Sequence, residues 1–266
     1  MRIPSKIYCG FDWKQAELHY LGLYSKDSNL KEALESSDVH RYVASMVFSK
    51  QPEGVTKDER ELAKTLSYAL IYSSFNLDVT AISLLKKDNT LNEDDLWEVL
   101  QKYSETFFGL FSWVKESIIN WYENDGMVNY FYGAKKQIRY PDYYEPDLEK
   151  LSNSKEGRVA INTYGQNSVG LLLKFVYSNM YQDSIIREHT SQHIPIFDSM
   201  NFLVDVNYLD EVVKRIDYFA TPVLEHDGFQ IRMQTDWKFS TESWGEMKEI
   251  DIKLLNEDRD PLVYSW

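Results

Sequence analysis

Residues 6–24 read Lys-Ile-Tyr-Cys-Gly-Phe-Asp-Trp-Lys-Gln-Ala-Glu-Leu-His-Tyr-Leu-Gly-Leu-Tyr. Residues 6–11 have the aromatic and β-branched content of a short strand, and 15–24 place Ala16, Leu18, Leu21 and Leu23 at helical intervals. A strand therefore runs straight into a helix, with Asp12 at the junction. That position has two readings. Asp12 with Gln15 suits a capping box for the following helix, or Asp12 is a functional carboxylate held at a strand end.

Outward from this junction, residues 29–123 are almost wholly helical in pattern: 30–36, 38–48, 57–72, 79–86 and a long stretch from Asn92 rich in aromatics. Residues 126–140 suggest a hairpin turning near Gly133, and Pro141-Asp-Tyr-Tyr-Glu-Pro146 is the best candidate for a boundary. A second long helix is expected over 154–182. Two β-rich runs, 194–197 and 200–206, then read as a hairpin with Asp198 at its tip, followed by a helix over 209–219 and a strand over 229–234.

The 266 residues are 43% apolar and 15% aromatic, with 11 Gly and 7 Pro, the make-up of a packed globular protein with a sizeable core. The single cysteine, Cys9, can form no internal disulfide and no cysteine zinc cluster, so a reducing, cytoplasmic setting is expected. No run reaches the roughly 18 apolar residues of a membrane helix, and no apolar signal core opens the chain; no membrane partner is expected. The net charge of −13 argues against nucleic acid, since phosphates recruit Lys and Arg. A local basic strip or a partner subunit can outvote that total.

Some familiar chemistries are excluded. His189 and His193 have the spacing of a helical metal clamp but no accompanying cysteine pair, so an ordinary structural role is expected. Gly165-Gln-Asn-Ser168-Val-Gly170 lacks the glycine two positions before the serine that a nucleophile elbow needs. Neither a dinucleotide-binding glycine pattern nor a P-loop occurs.

Other groupings carry chemistry. Arg60, Lys64, Tyr68 and Tyr72 are spaced by four, so each step drifts about 40° around a helix and the set spans about 18 Å. Two cations at one end and two rings at the other suit a nucleoside triphosphate, with Leu62, Leu66 and Leu70 facing the body; a solvated stripe on an ordinary amphipathic helix has the same spacing. Arg158, Asn162 and Gln166 form a second polar stripe, set against Val159, Ala160 and Ile161. Such donors suit the nearly sequence-independent acceptors of a duplex minor groove, or a plain surface. Asp198 is either a turn residue or the companion of Asp12. Brought together, the two carboxylates would hold two divalent cations that activate an attacking hydroxyl and stabilise a leaving pyrophosphate.

In order along the chain, these pieces resemble the carboxyl-terminal part of the family A, or DNA polymerase I, family. Asp12-Trp-Lys-Gln-Ala-Glu17-Leu-His resembles motif A, DYSQIELR, and Asp38-Val-His40-Arg resembles the DIHR segment. Arg60-Glu-Leu-Ala-Lys64-Thr-Leu-Ser-Tyr68-Ala-Leu-Ile-Tyr72 resembles motif B, RxxxKxxxFGxxY. Arg158-Val-Ala-Ile-Asn162-Thr-Tyr-Gly-Gln166 resembles RAAINxxxQ, and Phe197-Asp198-Ser199 stands where motif C has HDE.

The resemblance implies an α+β fold: a polymerase palm of antiparallel sheet with flanking helices, and an inserted, mostly helical fingers subdomain. The palm would comprise 1–20 and 152–266, with the motif C hairpin at about 194–206; the fingers would be 21–151, with the motif B helix at about 57–73. The implied activity is DNA-templated DNA synthesis by nucleotidyl transfer from a dNTP to a primer 3′-hydroxyl, with Asp12, Asp198 and Lys64 catalytic. Asp12, Asp198 and the Trp13 carbonyl would bind two Mg²⁺ ions. Arg60, Lys64, His40, Tyr68, Glu17 and Tyr72 would contact the nucleotide, Glu17 excluding a ribose 2′-hydroxyl and Tyr68 admitting dideoxynucleotides. Arg158, Asn162 and Gln166 would follow the primer-template minor groove.

Phe197 and Ser199 depart from the motif C pattern, and Ala69 and Ser73 replace the glycines usual in motif B. No thumb or exonuclease is expected within this chain. Together with the charge, that implies a split polymerase of the kind found in bacteriophages, with a second polypeptide carrying thumb, remaining palm and 3′–5′ exonuclease. The alternative is a noncatalytic replication subunit that keeps the fold and binds DNA or replication proteins.

Overall fold

A computed structural model describes residues 5–36, 38–87, 92–139, 148–250 and 262–265, without the side chains of Tyr72, Lys87, Leu148, Glu149 and Ser265. The chain forms two compact units, one of Met1–His19 with Asn167–Trp266, the other of Tyr20–Gln166. Strand β1, Lys6–Trp13, turns alternate side chains inward, so that Cys9, Phe11 and Trp13 are at most 2% exposed. Burial pushes the Cys9 thiol up to about 12, which makes it an inert core residue. At Gly10 strand β1 lies against Asn201, whose side chain would have to shift to admit a Cβ. Gln15, with φ of 46°, turns the chain into helix α1, Ala16–Ser25. Asp12 thus lies inside a strand and not at a helix cap.

The second unit holds α2 (Ser28–Glu35), α3 (Val39–Val47), α4 (Lys57–Tyr72), α5 (Leu77–Lys87), α6 (Glu93–Thr106) and α7 (Phe108–Glu123). A capping box closes the start of α4: the Glu59 amide donates to Thr56 Oγ1, and the Thr56 amide donates to the Glu59 carboxylate. The run from Asn92 is two helices, broken at Phe107, whose ring is fully buried against Tyr103 at 4.8 Å. The cause is distant. Asp27, 5% exposed, accepts from the amides of Leu30 at 2.9 Å and Leu110 at 3.0 Å, so one carboxylate closes the first turns of both α2 and α7. Next come the hairpin of β2 (Met127–Tyr130) and β3 (Ala134–Gln137), then α8 (Leu148–Asn153) and α9 (Lys155–Asn162). The boundary expected at 141–146 lies outside the described residues.

The helix expected over 154–182 is interrupted. A π-helical turn, Thr163–Asn167, separates α9 from α10, Ser168–Gln182. Residues 152–166, assigned from the sequence to the palm, cluster with the helical unit, where α9 packs on α4, α7 and α8.

The first unit continues with α11 (Ser184–His189), β4 (Thr190–Ile196), β5 (Ser199–Asp205), α12 (Leu209–Ala220), β6 (Val223–His226), β7 (Phe229–Arg232), β8 (Thr235–Ser240), β9 (Lys248–Ile250) and β10 (Val263–Ser265). Five strands form one sheet in the order β4-β5-β1-β8-β9, antiparallel throughout. Helix α12 buries Val212, Val213, Ile216 and Ala220 and packs against β5 and α10. Its Asp217 accepts from Trp237 Nε1 at 2.9 Å and Thr235 Oγ1 at 2.8 Å, fastening β8. His189 stacks on Tyr208 and bonds Asp205, whereas His193 lies in β4 and bonds Thr190. The architecture is the expected α+β one, a palm of antiparallel sheet and flanking helices with mostly helical fingers.

Candidate active site

The palm unit brings two distant carboxylates side by side. Strand pairing sets Asp12 of β1 opposite Ser199 of β5 and Asp236 of β8. Phe197 and Asp198 form the two-residue turn between β4 and β5, and the Trp13 amide donates to the Asp198 carbonyl at 3.1 Å. The indole of Trp13 is pinned as well, its Nε1 donating to the Ala220 carbonyl at 2.6 Å. Phe197 has a φ of 53° and is 89% exposed. A bulky residue in that left-handed region is strained, since glycine is the usual first residue of such a turn.

Electrostatics record how close the acids are. Asp12 is pushed up to about 6, first by burial and then by the charge of Asp198, with Asp236 adding and Lys238 opposing. Burial and then Asp198 also raise Glu17, the half-buried acid in the first turn of α1. Asp236 is offset by Lys14 at 2.8 Å. Among the described residues no group of three or more His, Cys, Asp and Glu side chains forms a metal cage. Two mutually repelling carboxylates nevertheless fit Mg²⁺, which binds through one or two carboxylates, retains water and completes its octahedron with substrate phosphates. Asp236 and Lys238 were not among the residues expected at this site; the alternation Thr235-Asp-Trp-Lys-Phe-Ser was the signal for their strand.

The fingers unit holds the opposite charge. On α4, Leu66 and Leu70 are fully buried and Leu62 is half-buried, while Lys64 is half-buried and Tyr68 is 39% exposed. From α3, His40 brings its ring within 6.0 Å of the Tyr68 ring. Burial lowers the His40 pKa, and the charges of Arg60 and Lys64 lower it further. Arg60, Lys64, His40 and Tyr68 therefore gather in one place; the side chain of Tyr72 lies outside the described set. Beside them Glu61, Lys64, Thr65, Tyr68, Ser83 and Leu84 line a cavity of about 410 Å³.

The second polar stripe is less regular than its spacing suggests. Arg158 sits on α9 and donates to the Asn153 carbonyl at 2.5 Å. Asn162 ends that helix, and exposed Gln166 falls in the π turn, so the three do not share a single α-helical face. Val159, placed by its spacing on the apolar side, is 37% exposed.

The profile of DNA polymerase family A matches residues 2–246. The DNA polymerase of Bacillus phage SP01 is 24% identical over 226 residues, covering 82% of this chain and 23% of its own. The DNA polymerase I of Borreliella burgdorferi is 22% identical over 244 residues, covering 91% and 25% respectively. That of Aquifex aeolicus is 44% identical over 62 residues, 23% of this chain and 11% of its own. The chain thus spans a quarter or less of these relatives' lengths. Among solved structures, the POL domain of Pol1 from M. smegmatis, in complex with DNA primer-template and dNTP, superposes with a TM-score of 0.73 at 18% identity, covering 91% of this chain and 40% of that one. That likeness shows a shared fold, and with a profile match over nearly the whole sequence the chain belongs to DNA polymerase family A.

Proposed function

We propose that the chain carries out DNA-templated DNA synthesis, transferring a nucleotide from a dNTP to a primer 3′-hydroxyl. The observation behind this is the coupling of Asp12 to Asp198 across the β1 and β4–β5 strands. In this reading Asp12, Asp198 and the Trp13 carbonyl hold two Mg²⁺ ions. Bound Mg²⁺ would supply hydroxyl activation and neutralisation of phosphate charge.

The chain's own groups do the rest. Arg60, Lys64 and His40 bind the triphosphate and position its α-phosphate, Lys64 Nζ giving a proton to the leaving pyrophosphate. The Tyr68 ring packs against the nucleotide, and by analogy with family members that carry Tyr at this position dideoxynucleotides are accepted. Glu17 excludes a 2′-hydroxyl. Tyr72 stacks at the template end, and Arg158, Asn162 and Gln166 donate to the minor groove of the primer-template.

A second polypeptide bearing thumb, remaining palm and exonuclease belongs to the same proposal. Its support is the net charge of −13, ill-suited to gripping a polyanion unaided. The test is primer extension in Mg²⁺ by the chain together with a thumb-bearing family A fragment, against Asp198→Asn in the same mixture. Extension should fall by on the order of a thousandfold. Equal extension by both proteins overturns the chemistry, and processive extension by the chain alone overturns the partner.

A further inference from the structure

The cationic face of α4 is already occupied by acids, and they are held differently. Asp38 Oδ1 accepts from the Arg41 amide at 3.1 Å as the N-cap of α3, while Asp38 Oδ2 accepts from Arg60 Nε at 2.8 Å. Asp38 therefore joins the helix that carries His40 to the helix that carries Arg60 and Lys64. Arg41 reinforces the join: its Nη1 donates to the carbonyls of Pro52 at 3.2 Å and Val55 at 2.9 Å, on the loop leading to the Thr56 cap of α4. The second acid is Glu61, whose Oε1 accepts from Arg60 Nη1 at 2.9 Å. Its side chain is 52% exposed, against 32% for Asp38. All four charged groups, Arg60, Lys64, Asp38 and Glu61, act on the buried His40 ring.

We infer that Asp38 is a positioning residue that fixes Arg60 for a polyphosphate, and that Glu61 is a built-in competitor that the polyphosphate displaces. The inference rests on the triphosphate-binding reading of this face. Asp38 holds the guanidinium by its Nε and cannot follow it outward, because its other oxygen is committed to the first turn of α3. The Nη nitrogens remain, in the planar fork that suits phosphate oxygens. Glu61 covers one of them, and water readily takes over such an exposed carboxylate.

The two acids should respond in opposite directions. Inorganic tripolyphosphate is titrated calorimetrically into the full chain and into Arg60→Ala, Asp38→Asn, Asp38→Ala and Glu61→Gln. Asparagine caps a helix about as well as aspartate, so Asp38→Asn removes the ion pair and keeps α3. It should bind about fivefold more weakly at an unchanged melting temperature, whereas Asp38→Ala also melts several degrees lower. Glu61→Gln should bind about twofold more tightly. In primer extension the KM for dNTP should move in the same directions.

Wild-type binding by Asp38→Asn, or no gain with Glu61→Gln, overturns the inference and leaves the polymerase reading standing. If Arg60→Ala binds tripolyphosphate as the wild type does, the triphosphate-binding reading of this face fails and takes the inference with it.

Discussion

The two charged regions are built by contrasting routes. The acidic one is a product of sheet register: Asp12 and Asp198 lie far apart in the chain and meet because β1 pairs with β5 and the Trp13 amide reaches the Asp198 carbonyl. The basic one is a product of local periodicity, with Arg60, Lys64 and Tyr68 one helical turn apart on α4. Their electrostatic states differ accordingly. The cationic face is screened by Asp38 and Glu61, while the carboxylates are left repelling one another, with Lys238 as a modest counterweight. The fold thus leaves the pair of Asp12 and Asp198 only partly offset, by Lys238, whereas on α4 Arg60 has an acid partner in each of Asp38 and Glu61.

The comparison breaks if the basic face has no chemical role. Lys64→Ala should lower extension about a hundredfold, chiefly in kcat, at unchanged thermal stability; single-turnover kinetics and a melting curve decide it. The acid pair is sharpened by opposing effects of one change. Because Asp12 is raised from 3.8 to about 6, folding is favoured by protonation: that contribution is complete below about pH 4 and is lost as pH rises through about 6. Asp12→Asn should therefore stop extension yet melt higher than wild type at pH 7, by about 1 kcal/mol after allowance for partial solvent exposure. The gain should vanish near pH 4, and Mg²⁺ should stabilise wild type at pH 7 but not the variant. A higher-melting variant at both pH values would assign the effect to packing. The smallest effect tests the hairpin tip: Phe197→Gly relieves a φ of 53° and should stabilise the chain by about 0.5 kcal/mol, the strain relief less the extra freedom of an unfolded glycine, measured by urea denaturation.

What could be read from the sequence follows the range of the forces involved. The α4 stripe and the β4–β5 hairpin are legible because spacing and turn are both local, whereas the capping box offered at Asp12 and Gln15 is absent and the one present is at Thr56 and Glu59. The break at Phe107 is not legible, since the acceptor that starts α7 is Asp27, 83 residues before the Leu110 amide. Nor does any single residue announce the π turn that shifts Gln166 off the stripe of Arg158 and Asn162. The acid site was half legible. Motif order pointed to Asp12 and Asp198, but Asp236 and Lys238 join them only because β8 pairs along the other edge of β1, a choice of neighbour that alternation cannot express.

Asp27 has one more consequence. Helix ends ordinarily fray one at a time, each loosening without regard to the others. Here a single side chain accepts from the opening turns of α2 and α7, so that when either end unravels the other loses part of its clasp. Two segments remote in sequence thereby share one opening event, and the amides at both ends should exchange with solvent in step.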